Sequence, residues 1–415
     1  MSGRNFGSIM NRAILGNAEG IGGRIERAGC QCPGCGGRGA VVFYQMEGIP
    51  ANSCILMASR EAALGCARGK MELGLCERCG LISNAAFDQG TQDFTQGYEG
   101  TQAFSSCFNE FAKSLAQRLI DKYDIRGKRI LEVGCGNGEF LSLMCALGSN
   151  EGVGFDPAYV DGGAGSEAPV EFVRDCYSDA YRDVGADVVC CRHTLEHVAD
   201  VGGFLGVIRR GIGERRDVLV FFEVPDGERI IREGAFWDVY YEHCNYFTAD
   251  ALRGLFGRSG FETVEVYSDY GGQYLILVAR PSGGGEVGTG HSILGIEDVK
   301  RFVRKAEGRI GGWNTFLGQM RQGGKRVVTW GSSSNCVSFL TAVGESGAIE
   351  YVVDINPRKE GMYMPGTGQR IVGPEFLREY RPEKVIVINP MYVDEIGREL
   401  ARLGVEAELL PITSV

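Results

Sequence analysis

The feature that most constrains the fold is a short apolar strand that runs into a glycine-rich turn and then a helix, between Arg129 and Leu141. The turn contains Gly134, Gly136 and Gly138. Glycine allows the backbone to pass close to a bound molecule, and the alternation leaves amide groups at the helix start free to face a ligand. Such a unit predicts an α/β fold whose ligand site lies at the carboxyl end of the strand.

Two acidic residues accompany this turn. Glu132 lies on the strand, where the amino acid end of a cofactor would be held, and Asp156 closes the next apolar run, 20 positions after Gly136. An open α/β sheet places there the carboxylate that binds ribose hydroxyls, although an ordinary strand-to-turn transition also explains an acid at this point. The G-x-G-x-G spacing differs from the G-x-G-x-x-G of dinucleotide sites. We therefore predict S-adenosylmethionine as the cofactor, with NAD as second choice.

Composition and charge narrow the class of partner. The chain has 415 residues, 44% of them hydrophobic, which is enough for two or three cores. A formal charge of −10 disfavours a nucleic acid partner. No stretch approaches the roughly 18 consecutive apolar residues of a membrane span, and the N-terminus has no signal-peptide core. We expect a cytoplasmic protein that acts on a small molecule.

Four cysteines form two C-x-x-C knuckles, Cys32 with Cys35 and Cys76 with Cys79, separated by 40 residues. In a reducing compartment, clustered thiols of this spacing are more often metal ligands than disulfides. Two such knuckles match the closed, four-thiolate site of a structural zinc. The alternative is four reduced cysteines without metal.

From about residue 128 to 280, predicted strands and helices alternate, which indicates a mostly parallel sheet covered by helices. The last two strands, at 261–267 and 273–279, are predicted to form an antiparallel hairpin, and a doubly wound sheet with this ending is the class I, Rossmann-like methyltransferase pattern. Helical spacing predicts an amphipathic helix over 104–123, and a further helical stretch is expected near 296–322. The predicted divisions are a flexible arm at 1–29, a zinc-binding domain at 30–84, a methyltransferase domain at 85–280, a linker at 281–290 and a C-terminal α/β Rossmann-like domain at 291–415. In the last of these, the turn at 331–334 either binds a phosphate or serves only as a tight connection.

The densest run of reactive side chains lies between Trp237 and Phe247. Within it, His243 is suited to accept a proton near neutral pH, and the adjacent carboxylate of Glu242 can orient it. The hydroxyl of Tyr240 can donate to a developing oxyanion. The alternative is an aromatic segment in which the histidine merely satisfies a buried hydrogen bond.

A second histidine segment follows the predicted strand at 186–192. In this segment, His193 and His197 flank Glu196. The spacing of the two histidines could suggest a metal pair, but the segment lacks a third ligand. We therefore expect His193 to border the cofactor pocket, and Glu196 and His197 to shape the floor of the substrate cleft. A purely structural role is the alternative.

The order of these parts resembles the zinc-containing, S-adenosylmethionine-dependent sugar C-methyltransferases of deoxysugar biosynthesis. The resemblance rests on the Cys₄ knuckles, the Leu-Glu-Val-Gly-Cys-Gly-x-Gly run, the Tyr-x-Glu-His segment, and residues 353–367, which are similar to that family's C-terminal Asp-x-Asn-Pro signature. It implies methylation at the carbon beside the ketone of a nucleotide-linked 4-keto sugar. It also implies that the zinc is structural and that the C-terminal domain helps to bind the nucleotide sugar.

By the same resemblance, Tyr240, Glu242 and His243 correspond to the family's active-site residues, and Tyr98 to a tyrosine that follows the zinc domain. Two other functions stay open from the residues alone. One is a methyltransferase that acts on a non-sugar keto or hydroxy substrate. The other is a non-catalytic protein that binds S-adenosylmethionine and zinc as structural ligands.

Overall fold

The computed structural model describes residues 26–27, 29, 31–92, 97–160, 169–282 and 293–415. The predicted flexible arm at 1–29 and linker at 281–290 lie almost wholly outside the described residues, and both remain predictions. The strands are β1 (Glu26–Arg27), β2 (Val41–Pro50), β3 (Arg68–Leu75), β4 (Ile82–Asn84), β5 (Arg129–Val133), β6 (Glu151–Phe155), β7 (Val170–Val173), β8 (Val188–Arg192), β9 (Leu219–Pro225), β10 (Asn245–Tyr246), β11 (Phe261–Asp269), β12 (Tyr274–Pro281), β13 (Val327–Trp330), β14 (Ile349–Val353), β15 (Arg370–Val372), β16 (Lys384–Val387) and β17 (Glu408–Pro411).

Helices separate most of these strands. They are α1 (Arg60–Leu64), α2 (Ser106–Tyr123), α3 (Glu139–Gly148), α4 (Val201–Ile212), α5 (Gly227–Glu233), α6 (Ala249–Arg258), α7 (Ile296–Gln322), α8 (Ser334–Ala342), α9 (Leu377–Tyr380) and α10 (Val393–Leu403). Among the described residues, no helix has both the length and the apolar character needed to cross a bilayer.

The central sheet has seven strands in the order β11-β12-β9-β8-β5-β6-β7. Strands β5 to β9 run parallel, whereas β11 and β12 form an antiparallel hairpin that joins the sheet through β9. The predicted parallel sheet and its closing hairpin are therefore confirmed. The glycine turn follows β5, in the middle of the sheet, where flanking strands bring their own carboxyl ends to the same edge.

The C-terminal sheet is smaller and wholly parallel, in the order β15-β14-β13-β16-β17. Its connectivity repeats that of β7-β6-β5-β8-β9. The turn that follows β5 in the central sheet and the turn that follows β13 in the C-terminal sheet are fixed by the same kind of hydrogen bond. The backbone N–H of Gly136 donates to Asp156 and that of Ser332 to Asp354, each over 2.9 Å, so an acid from the neighbouring strand fixes each strand-to-helix turn.

The N-terminal sheet has the order β1-β2-β3-β4-β10, and its last strand comes from far along the chain. Asn245 pairs with Ser83 and Tyr246 with Ile82, both antiparallel. These two residues belong to the reactive run and lie two and three positions after His243. The segment that bears the predicted base is thus hydrogen bonded to the cysteine-bearing module.

Helix α2 begins two residues later than its hydrophobic spacing predicts. Ser105 caps it, since its hydroxyl accepts the backbone N–H of Phe108 over 3.2 Å. Phe104 therefore lies outside the helix with 42% of its surface exposed, at the rim of the cleft described below.

The N-terminal sheet is packed between the other two units. On one side, the rings of Phe43 and Tyr44 meet Phe302 of α7 edge-on, at centroid distances of 5.8 and 5.3 Å. On the other side, Leu81 and the knuckle cysteines share a core with β9 and α6 of the central unit. Buried apolar surface of this kind is the main source of stability, so the three sheets support one another.

Candidate active site

The glycine turn has the backbone that its sequence predicts. Gly134, Gly136 and Gly138 all have positive φ, at 74°, 54° and 81°. A Cβ at Gly138 would lie 2.2 Å from the ring of Phe172, whereas a Cβ at Gly136 would meet nothing within 4 Å. Gly138 is thus fixed by close packing, and Gly136 faces open space at the carboxyl end of β5, where a ligand has room to approach.

These two glycines give a matched pair of substitutions. Gly138→Ala should destabilise the fold by more than the ~1–2 kcal/mol of a left-handed alanine, because Phe172 must also move. Gly136→Ala carries the backbone cost alone but places a methyl group in the cofactor space. We expect Gly138→Ala to show the larger loss in urea unfolding, and Gly136→Ala to lose affinity for S-adenosylhomocysteine in calorimetry. Equal unfolding losses in the two variants would contradict the packing argument.

Glu132 is buried at the edge of this space. It is 2% exposed, and its Oε2 has no hydrogen-bond partner among the described residues. Burial, opposed by the nearby charge of Arg192, raises the pKa of Glu132 to about 8. A buried acceptor without a partner is costly unless a ligand completes it. The open glycine turn, Glu132 and Asp156 together fit the polar groups of S-adenosylmethionine.

The raised pKa of Glu132 has a consequence for stability. The carboxyl titrates near 4.3 in the unfolded chain and at about 8 in the fold, so between these values the folded state binds more protons and loses stability as the pH rises. Glu132→Gln removes this loss. We expect the free energy of unfolding of the variant, relative to wild type, to improve from pH 6 to pH 9 in urea titrations. If the difference in free energy of unfolding between the variant and wild type did not change with pH, the raised pKa of Glu132 would be ruled out.

A buried ion pair at the ends of β8 and β9 was not foreseen from the sequence. Arg192 donates to both oxygens of Glu223, each over 3.0 Å, and its guanidinium stands 4.1 Å above the Phe140 ring. Nε2 of His193 lies 2.6 Å from Oε1 of the same carboxylate. Burial opposes protonation of His193, but Glu223 and Glu196 raise its pKa to about 9. His193 therefore carries a positive charge at neutral pH where it lines the cleft.

His243 lies on the floor of that cleft and is 5% exposed. Its ring is 4.1 Å from the ring of Tyr240 and 4.8 Å from that of His197, measured between centroids. Burial, together with the nearby imidazoles of His197 and His193, keeps the pKa of His243 well below its usual value. The ring is therefore neutral near pH 7 and has a lone pair available to accept a proton.

The carboxylate beside His243 is not that of its neighbour in sequence. Oε1 of Glu196 lies 3.9 Å from Nε2 of His243. The carboxylate of Glu242 instead accepts the hydroxyl of Ser53, and the backbone carbonyl of Glu242 lies 2.9 Å from Nδ1 of His197. Side-chain direction in an irregular segment has no periodic signal in the sequence. The His-x-x-Glu-His order was the one hint that Glu196 would reach the reactive group.

Tyr98 reaches the same cleft from the segment after the N-terminal sheet. Its backbone forms an isolated antiparallel β-bridge with Ile55. Its side chain lines the cleft, as does Cys54. Burial raises the pKa of Tyr98 and of Tyr240 well above the usual value, so both hydroxyls keep their protons. The next residue, Glu99, is 6% exposed and accepts from Asn356 and Arg358, which fixes this segment to the C-terminal unit.

The cleft has a volume of about 830 Å³ and lies between the central and C-terminal sheets. The reactive side chains His243, Tyr240 and Tyr98 form one part of its wall. Another part of the wall comes from the C-terminal unit and includes the polar side chains of Ser332, Lys359 and Arg398. Of the predicted site residues, the cleft therefore unites His243, Tyr240, Tyr98 and His193, whereas Glu242 is not among its lining residues.

The four knuckle cysteines converge as their spacing predicts. Sγ of Cys32 is 3.5 Å from that of Cys79, and Sγ of Cys35 is 3.6 Å from that of Cys76. All four sulfurs lie within 4.8 Å of one another. A tetrahedron with Zn–S bonds of ~2.3 Å has sulfurs about 3.8 Å apart, so the quartet fits a zinc ion with little rearrangement.

The backbone explains why each knuckle presents its thiols together. The N–H of Gly36 donates to the Cys32 carbonyl and that of Gly80 to the Cys76 carbonyl, over 2.9 and 2.8 Å. Both glycines have positive φ, at 68° and 75°. The two turns are thus built alike and direct their sulfurs to one point.

Comparisons with known proteins agree with this architecture. The family described as "Methyltransferase domain" matches residues 106–266, and the family described as "C-methyltransferase C-terminal domain" matches residues 291–407. The C-methyltransferase NovU of Streptomyces niveus is 22% identical over 346 residues, which cover 79% of this chain and 81% of NovU. A tRNA U34 carboxymethyltransferase of Ectopseudomonas mendocina is 46% identical over 44 residues, which cover 11% of this chain and 14% of that protein.

Two solved structures are also similar to part of the chain. The 1,6-didemethyltoxoflavin-N1-methyltransferase of Burkholderia thailandensis is 18% identical and matches over 42% of this chain and 80% of its own, with a TM-score of 0.34. The dimethyltransferase RosA of Streptomyces davawensis is 22% identical over 42% of this chain and 56% of its own, also with a TM-score of 0.34. The two domain matches and the alignment with NovU show that this chain is an S-adenosylmethionine-dependent methyltransferase that is similar to C-methyltransferases.

Proposed function

We propose that the enzyme methylates the carbon beside the ketone of a nucleotide-linked 4-keto-deoxysugar, through an enolate. The observation that carries the proposal is a buried, neutral His243 that shares the cleft with the protonated hydroxyls of Tyr240 and Tyr98. These are the groups that enolate chemistry needs: a base for the carbon-bound proton and donors for the oxyanion. The similarity to NovU, itself a C-methyltransferase, supports the reaction type.

In this proposal, His243 removes the proton from the carbon beside the ketone. Burial makes the free imidazole a weak base, but the carboxylate of Glu196, 3.9 Å from Nε2, stabilises the imidazolium once the proton has arrived. We therefore assign to Glu196 the supporting role that sequence order suggested for Glu242. The hydroxyls of Tyr240 and Tyr98 donate to the enolate oxygen. S-adenosylmethionine, when bound, supplies an electrophilic methyl group.

The polar wall of the cleft supports a nucleotide sugar as substrate. Lys359 is 7% exposed, with Nζ 3.8 Å from Asp354, so its charge is held in place where it borders the cleft. Arg398 adds a second cation on the same wall. A diphosphate is the part of a nucleotide sugar that cations recognise. The N–H and the hydroxyl of Ser332 both donate to Asp354 and are therefore already used. In this proposal the turn at Gly331 to Ser334 shapes the wall of the cleft as a tight connection, and the cations bind the diphosphate.

We further propose that Cys32, Cys35, Cys76 and Cys79 hold a structural zinc. Four thiolates close the coordination sphere and leave no position for water or a ketone oxygen, as catalytic zinc would require. The ion would contribute to folding of the N-terminal sheet and take no part in the reaction.

Proton exchange tests the enolate directly. The wild-type enzyme is incubated in deuterium oxide with S-adenosylhomocysteine and a panel of nucleotide 4-keto sugars, non-sugar keto acids and hydroxy compounds. We expect one carbon-bound proton of a 4-keto sugar to exchange, detected by NMR, because proton removal by His243 needs no methyl donor. The same compound should then be methylated with labelled S-adenosylmethionine.

Two other results would decide against the proposal. Methylation of a hydroxy compound without any carbon exchange would favour the oxygen methyltransferase alternative. Exchange and methylation of a keto acid, with every nucleotide sugar inert, would keep the enolate and exclude the sugar.

A further inference from the structure

Folding supplies the third ligand that the His-x-x-Glu-His segment lacks. Glu196, His197 and His243 each offer one ligand atom, and these atoms lie within 4.8 Å of one another. Two of the residues follow β8, and the third precedes β10, so the sequence alone does not join them. Two imidazoles and one carboxylate form a set that suits zinc, cobalt or nickel better than magnesium or calcium.

The carboxylate in this set is buried without the hydrogen bonds that a buried charge requires. Glu196 is 1% exposed, and neither of its oxygens has a hydrogen-bond partner among the described residues. Nδ1 of His193 forms an ion pair with Oε1 of Glu196 at 3.6 Å, and Nε2 of His243 lies 3.9 Å from the same oxygen, so both contacts are longer than a hydrogen bond. Buried charges are normally paired closely or coordinate a metal. This carboxylate is therefore positioned to accept a cation.

His197 has the outer-sphere contact that is usual for a metal-binding histidine. Its Nδ1 lies 2.9 Å from the backbone carbonyl of Glu242. Only an N–H can donate to a carbonyl, so Nδ1 is the donor in this contact and Nε2 is the ring nitrogen that would serve as the ligand atom. The carbonyl is itself held in place, because the side chain of Glu242 is hydrogen bonded to Ser53. A second contact of this type fixes the ring and tautomer of metal-ligating histidines.

We propose that Glu196, His197 and His243 form a second, transition-metal site in the cleft, separate from the thiolate quartet, and that its occupation inhibits the enzyme. Ligand bonds of ~2.0–2.2 Å hold ligand atoms about 3–3.5 Å apart, so the three atoms, which lie within 4.8 Å of one another, would move closer when a metal binds. The inhibition rests on the proposed function, since a metal on His243 takes the lone pair that would accept the substrate proton. The binding itself does not depend on that function.

Cobalt(II) distinguishes the two sites by spectroscopy. Protein whose thiolate quartet is loaded with zinc is titrated with Co²⁺ and followed by calorimetry and visible absorption. We expect one Co²⁺ per chain to bind with the weak absorption of nitrogen and oxygen ligands, without the intense thiolate bands that exchange into the quartet would give. Glu196→Gln and His197→Asn should weaken this binding by at least ~10-fold while each variant retains its zinc. Glu262→Gln, an exposed glutamate on β11, is the matched control.

The proposal is overturned if wild type binds no additional Co²⁺ at millimolar concentration. It is also overturned if Co²⁺ affinity is unchanged in both Glu196→Gln and His197→Asn. Circular dichroism and zinc content are used to check that each variant is folded. Because two variants are tested, the proposal can still be decided if one of them does not fold. If Co²⁺ binds as expected but does not slow deuterium exchange of the substrate, the site stands and the role of His243 as base is wrong.

Discussion

Removal of zinc from the thiolate quartet is expected to abolish methyl transfer while the affinity for S-adenosylhomocysteine stays near normal. In a small module, a structural zinc contributes apparent binding energy on the order of 10 kcal/mol, most of it as folding energy. Loss of this energy would disorder the sheet that contains β4, whose Ile82 and Ser83 pair with Tyr246 and Asn245. The segment that bears His243 would then lose its partner strand. Glu132 and the glycine turn lie on the central sheet and would keep their arrangement.

The measurement compares wild type with Cys76→Ser, in zinc content by elemental analysis, methyl transfer and S-adenosylhomocysteine affinity. Cys66→Ser is the control, because Cys66 is half-buried in the same module but outside the quartet. The control should retain one zinc per chain and full activity. A Cys76→Ser enzyme without zinc but with full activity would show that the quartet is not a structural metal site. A parallel loss of cofactor affinity would show that the central sheet depends on the zinc as well.

Replacement of His243 by alanine is expected to lower turnover by about 10²–10⁴-fold, the usual contribution of a positioned base. The exchange of the substrate proton in deuterium oxide should fall by the same factor, because both processes begin with the same proton transfer. S-adenosylhomocysteine affinity should change little, since the glycine turn and Glu132 are distinct from this position. The readouts are single-turnover methyl transfer, NMR-detected exchange and calorimetry.

Cys244→Ser is the matched control for His243→Ala. It alters the adjacent buried residue, whose Sγ lies 3.4 Å from the Glu196 carbonyl, and leaves the imidazole in place. A loss of similar size in this variant would mean that the effect comes from repacking of the segment. Unchanged exchange together with unchanged methyl transfer in His243→Ala would remove His243 from the reaction.

The central sheet could be predicted from sequence because its signals are local. The strand before Gly134, the hairpin at the end of the unit and helix α7 over 296–322 each follow from hydrophobic period and turn residues within a short window. The convergence of the four knuckle thiols followed from spacing alone. Within each strand, helix and knuckle, the residues that decide the local structure are neighbours in the chain.

What could not be predicted depends on residues that only folding brings together. The pairing of β10 with β4 joins segments about 160 positions apart, and a two-residue strand has no period. The direction of the Glu242 side chain was missed for a related reason, because Ser53, its partner, is 189 positions away. The approach of Glu196 to His243 was likewise hidden, although both residues stood out in the sequence.

The packing of Phe43 and Tyr44 against Phe302 has a consequence for the order of folding. Strand β2 is synthesised some 250 residues before α7, the helix that covers it. The segment that contains β2 therefore leaves the ribosome long before its cover is made. Contacts between segments so far apart in sequence form slowly, and apolar surface left uncovered meanwhile favours aggregation. We therefore expect early capture of a metal by the knuckles to hold the nascent module compact until its cover arrives, and expression in zinc-depleted cells to yield aggregated chains.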